Sequence, residues 1–173
     1  MKLSKLSLFV FLFPLIVFGL TSCFSVKYSA SGANISPDIK SVSVQYFPNR
    51  ATLVNPQLSQ LFTEALRSKM RSQTSLVVKN DGGDVNFEGE ITSYDTRPMA
   101  ITSDESPAKT RLTITIRVKY TNDIDPTQNF EQSFSRFDDY DSNKNFSSVE
   151  STLVTGILDL LTEDIFNKAF VNW

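Results

Sequence analysis

The sequence predicts an α+β fold: a two-layer sandwich in which two amphipathic helices pack on one face of a mostly antiparallel, four- to five-stranded sheet. Three observations carry this expectation. The middle of the chain alternates apolar and polar residues with period 2, most clearly in RLTITIRVKY (residues 111–120), as half-buried strands do. Two other segments, after Asn55 and after Ser147, place apolar residues three and four apart, as amphipathic helices do. A sheet with one apolar face needs a cover, and two striped helices supply it. The expected element order is β-α-β-β-β-β-α.

The first strand is read from Val42, Val44 and Tyr46, which alternate with Ser41, Ser43 and Gln45; FPNR (47–50) stops it. Asn55-Pro56 has the chemistry of a helix start, since Asn caps and Pro at the first helical position gives up no hydrogen bond. Leu58, Leu61, Phe62, Ala65, Leu66 and Met70 then form one apolar stripe. Leu76–Val78 makes a short strand, and NDGGD (80–84) reads as a hairpin turn. Val85, Phe87, Gly89 and Ile91 alternate with polar residues toward Tyr94. A polar loop spans Pro98 to Lys109. The next strand turns Leu112, Ile114, Ile116, Val118 and Tyr120 one way, and Arg111, Thr113, Thr115, Arg117 and Lys119 the other. After NDIDP, Phe130 and Phe134 mark a further strand ending near Phe137, and DDYDSNKN (138–145) reads as a polar loop. Ser147 and Glu150 have capping-box spacing ahead of a long apolar stripe from Val149 to Ala169.

The N-terminus sets the compartment. Lys2 and Lys5 precede an uncharged run from Leu6 to Leu20, too short for a spanning helix and fitting the apolar region of a secretory signal. The order Leu20-Thr21-Ser22-Cys23 resembles the bacterial lipobox, in which the chain is cut before the cysteine and the thiol is diacylated. The alternative is an uncleaved anchor with an incidental cysteine. On the lipoprotein reading, residues 1–22 are a signal peptide, Cys23 carries the lipid, 23–37 is a tether and 38–173 is a single domain. Several acyl chains hold a protein firmly where one binds only marginally. Phe24 rather than Asp follows the cysteine, and no acidic cluster appears before residue 31. By resemblance to other bacterial lipoproteins, both imply the periplasmic face of the outer membrane.

Composition narrows the chemistry. Removing residues 1–22 from 173 leaves 151, enough for one domain with a real core. The full chain has 17 basic against 19 acidic residues, so nothing suggests nucleic acid binding. It has no histidine, which removes the commonest general base and zinc ligand. Asp139, Asp141 and Asn143 alternate as in a calcium loop, but the turn glycine is missing and the twelfth position, Glu150, is already assigned to a helix cap. A solvated loop is the better reading. DGGD opens a strand rather than a helix, which argues against a phosphate cradle. Glu88 and Glu90 share a strand face but stand where polar residues belong anyway. Arg111, Arg117 and Lys119, three cations at period 2, could read anionic phosphates or acidic sugars; charged residues are also ordinary on a wet strand face.

Several blocks in this order resemble the LptE family of lipopolysaccharide-assembly lipoproteins. They are DIKSVSVQYFPNRATLVNPQLSQLFTEALRSKM, GGDVNFEGEITSYDTRP, TRLTITIRVKYTN, FEQSFSRFDDYDS and the closing LTEDIFNKAFVNW. The resemblance implies a non-enzymatic partner without cofactors. It would sit in the lumen of an LptD-type β-barrel and help deliver lipopolysaccharide to the outer leaflet. It also implies two helices on a sheet, and Cys23 as the lipid-bearing residue. The family's basic lipopolysaccharide-binding positions do not transfer residue by residue. Arg111, Arg117 and Lys119, with Arg97 at the loop edge, are therefore candidates from strand geometry. The alternative is an auxiliary lipoprotein subunit of another envelope lipid-transport system.

Overall fold

The computed structural model describes residues 35–53, 55–99 and 108–171. The signal segment, Cys23, most of the tether, the centre of the 98–109 loop and Trp173 lie outside the described residues. The elements are β1 (Ser41–Val44), α1 (Leu58–Gln73), β2 (Val77–Lys79), β3 (Val85–Pro98), β4 (Lys109–Asn122), β5 (Phe130–Asp141) and α2 (Phe146–Phe170). A 3-10 turn at Pro126–Gln128 intervenes between β4 and β5. The class is α+β as expected, with both helices against a five-stranded sheet of order β2-β1-β3-β4-β5.

The sheet is mixed rather than mostly antiparallel. β1 runs parallel to both of its neighbours, and only β3, β4 and β5 are mutually antiparallel. The NDGGD segment is accordingly no hairpin, because β2 and β3 lie on opposite sides of β1. The loop crosses β1 on the face away from the helices, which is why all four residues of that strand are buried. Three features make the passage possible. Ser41 and Ser43 are small, and the Ser43 hydroxyl donates to Asn86 Oδ1 at 2.7 Å. Gly83 lies so close that a Cβ there would stand 2.5 Å from the Ser43 nitrogen. Asp84 Oδ2 accepts from the Lys40 and Ser41 backbone N–H groups, both at 2.8 Å, and from the Ser41 hydroxyl at 3.0 Å.

Past the last residue paired to β2, Arg67 on α1 caps β1. Its guanidinium donates to the Val44 carbonyl at 2.8 and 3.2 Å. The chain then continues beside β3, where Arg50 N–H donates to Ile91 O and Ile91 N–H to Pro48 O. FPNR thus ends the ladder with β2 but keeps contact with β3. Phe47 is buried against Phe62, ring centroids 4.9 Å apart, and packs over Gly89, where a Cβ would come within 2.8 Å of its ring.

α1 begins at Leu58, two residues later than Asn55-Pro56 suggests. Asn55 still accepts from Gln57 N–H at 3.0 Å, but in a turn ahead of the helix. Its buried residues are Leu58, Ser59, Phe62, Thr63, Leu66 and Met70. Leu61, expected inside, is 45 % exposed. Thr63 takes an inward place because its hydroxyl accepts from Phe47 N–H and donates to Ser59 O. The short strand is Val77–Lys79 rather than 76–78, so Leu76 packs in the core while Val77 faces solvent at the sheet edge.

β3 is longer than its alternation suggests, because a bulge between Ile91 and Ser93 shifts the register by one. Ile91 and Tyr94, three apart, therefore both point inward. β5 also runs further than expected, to Asp141, so only the end of DDYDSNKN is a turn. The expected Ser147/Glu150 capping box does not form. Asn145 caps α2, its Oδ1 accepting from Ser147 N–H at 3.0 Å. Glu150 Oε1 instead accepts from the buried Tyr94 hydroxyl at 2.5 Å and from Asn55 Nδ2 at 2.8 Å. One carboxylate thereby ties α2, β3 and the approach to α1 together. The rest of α2 follows the expected stripe, from Leu153 through Phe170, over the inner faces of β4 and β5.

Replacing Gly83 by Ala should lower stability by about 1–3 kcal/mol, because the new Cβ meets backbone that cannot yield. Gly156→Ala, on an exposed turn of α2 with nothing within 4 Å, should stabilise by about 0.5–1 kcal/mol. Urea denaturation midpoints of the two variants should move in opposite directions from the parent. Equal and small shifts would remove the crossing from its structural role.

Candidate functional site

The face of β3, β4 and β5 opposite the helices is polar, as the threonines and cations of RLTITIRVKY require. Its candidate residues do not form one cluster. Arg117 and Lys119 lie near one end of β4, and Arg111 lies near the other. Six residues separate Arg111 from Arg117, roughly 20 Å along a strand. Arg97 on β3 is the direct cross-strand partner of Arg111. A band of hydroxyls fills the space between, with Thr115 and Ser135 in contact at 3.0 Å.

Each cation already holds a carboxylate. Lys119 Nζ donates to Glu88 at 2.6 Å, and Arg117 donates through Nη2 to its register partner Glu90. Arg111 is the most engaged: Nε and Nη2 reach Asp139 at 2.7 and 2.9 Å, and its guanidinium lies 3.5 Å from the Phe137 ring centroid. Among the described residues, Arg97 makes one contact, at 2.5 Å, with Asp95 on its own strand. Side-chain exposure ranks their availability. Arg97 is 82 % exposed, Lys119 54 %, Arg117 50 % and Arg111 28 %.

Titration follows the pairing. The hydrogen bond that Arg111 donates to Asp139 raises the Arg111 pKa above its usual value, and those donated to Glu90 and Glu88 do the same for Arg117 and Lys119. In the other direction, the Arg111 hydrogen bond holds the Asp139 carboxyl below the ordinary range. Glu88, Glu90 and Glu131 surround Arg117 and Lys119 in a shallow depression of about 440 Å³. Three carboxylates against two cations leave this depression with no basic excess. An anion binding there would compete with the carboxylates already in place.

Glu88 and Glu90, singled out in the sequence as a carboxylate pair, are therefore the partners of the cations. The signal was present: EGE on one strand is complementary to RVK on the next once the two are laid antiparallel. Asp95 and Asp139 were not anticipated as partners. Asp139 was assigned to a loop, and no period placed it beside Arg111. Asp141 contacts Lys144 at 3.3 Å rather than standing free for a cation. Among the described residues, no group of three His, Cys, Asp or Glu side chains is placed to hold a metal ion.

A family model described as LptE, lipopolysaccharide-assembly, matches residues 39–169. Comparison with curated proteins finds no match. Among solved structures, a Helicobacter pylori protein described as a homologue of a neuraminyllactose-binding hemagglutinin superposes with a TM-score of 0.52, at 8 % identity, over 82 % of this chain and 88 % of its own. The hypothetical protein CT253 from Chlamydia trachomatis gives a TM-score of 0.51, at 12 % identity, over 77 % of this chain and 99 % of its own. Protein XCC0632 from Xanthomonas campestris gives 0.50, at 8 % identity, over 78 % and 87 %. At such identities the likeness is one of fold.

The Arg111–Asp139 pair yields a pH prediction. Because the folded Asp139 pKa is depressed, the pair's contribution to stability is complete above the unfolded value of about 3.9 and is lost as pH falls through the folded one. NMR titration of the Asp139 carboxyl should show it below the ordinary value in the parent and back in that range in Arg111→Ala. An unchanged titration in the variant would show that Arg111 does not hold it.

Proposed function

The chain belongs to the LptE lipopolysaccharide-assembly family, and from that premise we propose that it is a non-enzymatic envelope lipoprotein that plugs and supports an LptD-type β-barrel. The observation that carries the reading is the family match, which spans nearly the whole folded domain, residues 39–169. Cleavage before Cys23 and acylation of its thiol would tether the domain to the periplasmic face of the outer membrane. The polar outer face of the sheet suits a protein lodged in a wet barrel lumen.

On this reading the work is differential contact rather than bond chemistry. Phosphates and acidic sugars of lipopolysaccharide would compete with Glu88, Glu90, Asp95 and Asp139 for the four cations. Bidentate guanidinium contacts fit phosphate as well as carboxylate, so exchange costs little geometry. Arg97, exposed and bonded once, would exchange first; Arg111, forked and stacked, would exchange last.

A tagged full chain recovered from mildly solubilised outer membrane should bring down a large β-barrel protein. Its depletion should lower the barrel's level and strand lipopolysaccharide at the inner membrane. Recovery of no barrel, or normal lipopolysaccharide export after depletion, would favour an auxiliary subunit of a different lipid-transport system.

Replacing Arg117 and Lys119 together by Ala should weaken lipopolysaccharide binding several-fold at low salt, with less effect at high salt as screening removes the difference. Circular dichroism of the variant should match the parent. Unchanged affinity at low salt would take these two residues out of the binding surface.

A further inference from the structure

β5 closes one side of the sheet, and among the described residues no strand pairs with its far edge. Its 12 residues leave a free edge of roughly 40 Å. An unpaired edge of that length is a template for another strand, and proteins commonly guard such edges with charge. Here the charges are arranged to complement themselves. Arg136 and Asp138 lie on one face of the strand, two residues apart and of opposite sign. Between them Phe137, 50 % exposed, stands on the other face.

When two copies of a strand pair antiparallel about a two-fold axis, the residue on the axis faces itself. Its two neighbours then face each other. With the axis at Phe137, the two Phe137 rings meet and Arg136 faces Asp138 twice. One step outward on that face, Phe134 faces Tyr140 twice. Opposite charges and aromatic pairs directly across a ladder are both favourable. Neighbouring axes fail: at Arg136 or Asp138 each charge faces its own copy, and at Ser135 Glu131 faces Asp139. Arg136 already spends two N–H groups on Asp164, both at 2.6 Å, and a guanidinium has five. We propose that the chain self-associates edge to edge through β5, antiparallel about Phe137, joining two five-stranded sheets into one. The inference does not rest on the lipopolysaccharide role; it concerns copies of the chain outside a barrel, because a domain lodged in a lumen could not extend its sheet into a second copy.

The test uses the full chain in mild detergent. Phe137→Cys should cross-link to a homodimer with a short bis-maleimide, well above the background of the parent, which carries only Cys23. Gln132→Cys should not, because the two copies of residue 132 would sit roughly 30 Å apart along the strands. In sedimentation velocity the parent should run as a dimer. Asp138→Arg, which sets Arg against Arg, should weaken the dimer by about tenfold or more, and the charge swap Arg136→Asp with Asp138→Arg should restore it. Cross-linking at 137 no stronger than at 132 would overturn the proposal. So would a monomeric parent, or an adduct at 137 with a different protein in place of a second copy.

Discussion

The passage of the 80–84 loop across β1 governs the rest of the structure. It carries the chain from one flank of β1 to the other within five residues, so that β3 can start on the opposite side and run parallel to it. Everything after Asp84, the β3–β4–β5 meander and α2 upon it, is placed by that step. The crossing needs close approach, which three residues permit and a fourth holds. Gly83 contributes no Cβ, and Ser41 and Ser43 contribute little bulk. Asp84 replaces the water that the β1 N–H groups would otherwise hold. Those same N–H groups hold its carboxyl below the usual range, Lys40's most of all, so the latch is ionised wherever the protein is folded at neutral pH.

The parts of the fold that were legible in the sequence are those set by local period. RLTITIRVKY, the α1 stripe and the α2 stripe each display the face they bury, because burial selects residues at the repeat of the element itself. The crossing was illegible for a physical reason. A glycine pair between two strand-like runs serves a hairpin and a crossover equally well. What separates them is contact between Gly83 and backbone some forty residues earlier. A faint trace existed: the outward residues of β1 are serines, where an exposed strand face would tolerate charge. The capping box misled for the converse reason. Glu150 has the right spacing for a local role, but the buried Tyr94 hydroxyl and Asn55 claim it from outside the helix.

The candidate site was half legible. Period 2 located the cations but said nothing of what stands beside them, since register between strands is a tertiary property. Pairing changes what such a face can do. A strand of bare cations would hold a polyanion by net attraction and release it slowly. A ladder of cations already paired with carboxylates favours exchange, in which a new contact competes with an old one. Under the proposed role that distinction suits a protein whose ligand must move on. It also keeps the face soluble, and nearly neutral, when no ligand is present.

The bulge at Thr92 links the two halves of the molecule and explains why the cations divide as they do. Before it, residues of β3 and β4 meet so that Glu88 faces Lys119 and Glu90 faces Arg117, unlike charges in both pairs. The extra residue advances the register by one, and beyond it Arg97 faces Arg111. Like charges directly opposed are unfavourable in a ladder, so each arginine must look elsewhere. Arg97 turns to Asp95 on its own strand, and Arg111 crosses to Asp139 on β5 and stacks on Phe137. The inner face receives the compensation. The same shift brings Tyr94 inward beside Ile114, within reach of Glu150 on α2, where an unbulged strand would have turned it to solvent. One inserted residue thus sets Arg97 against Arg111 on the wet face and gives the inner face a hydrogen bond that clamps helix to sheet. It is also what leaves Arg97 the most exposed of the four candidate cations.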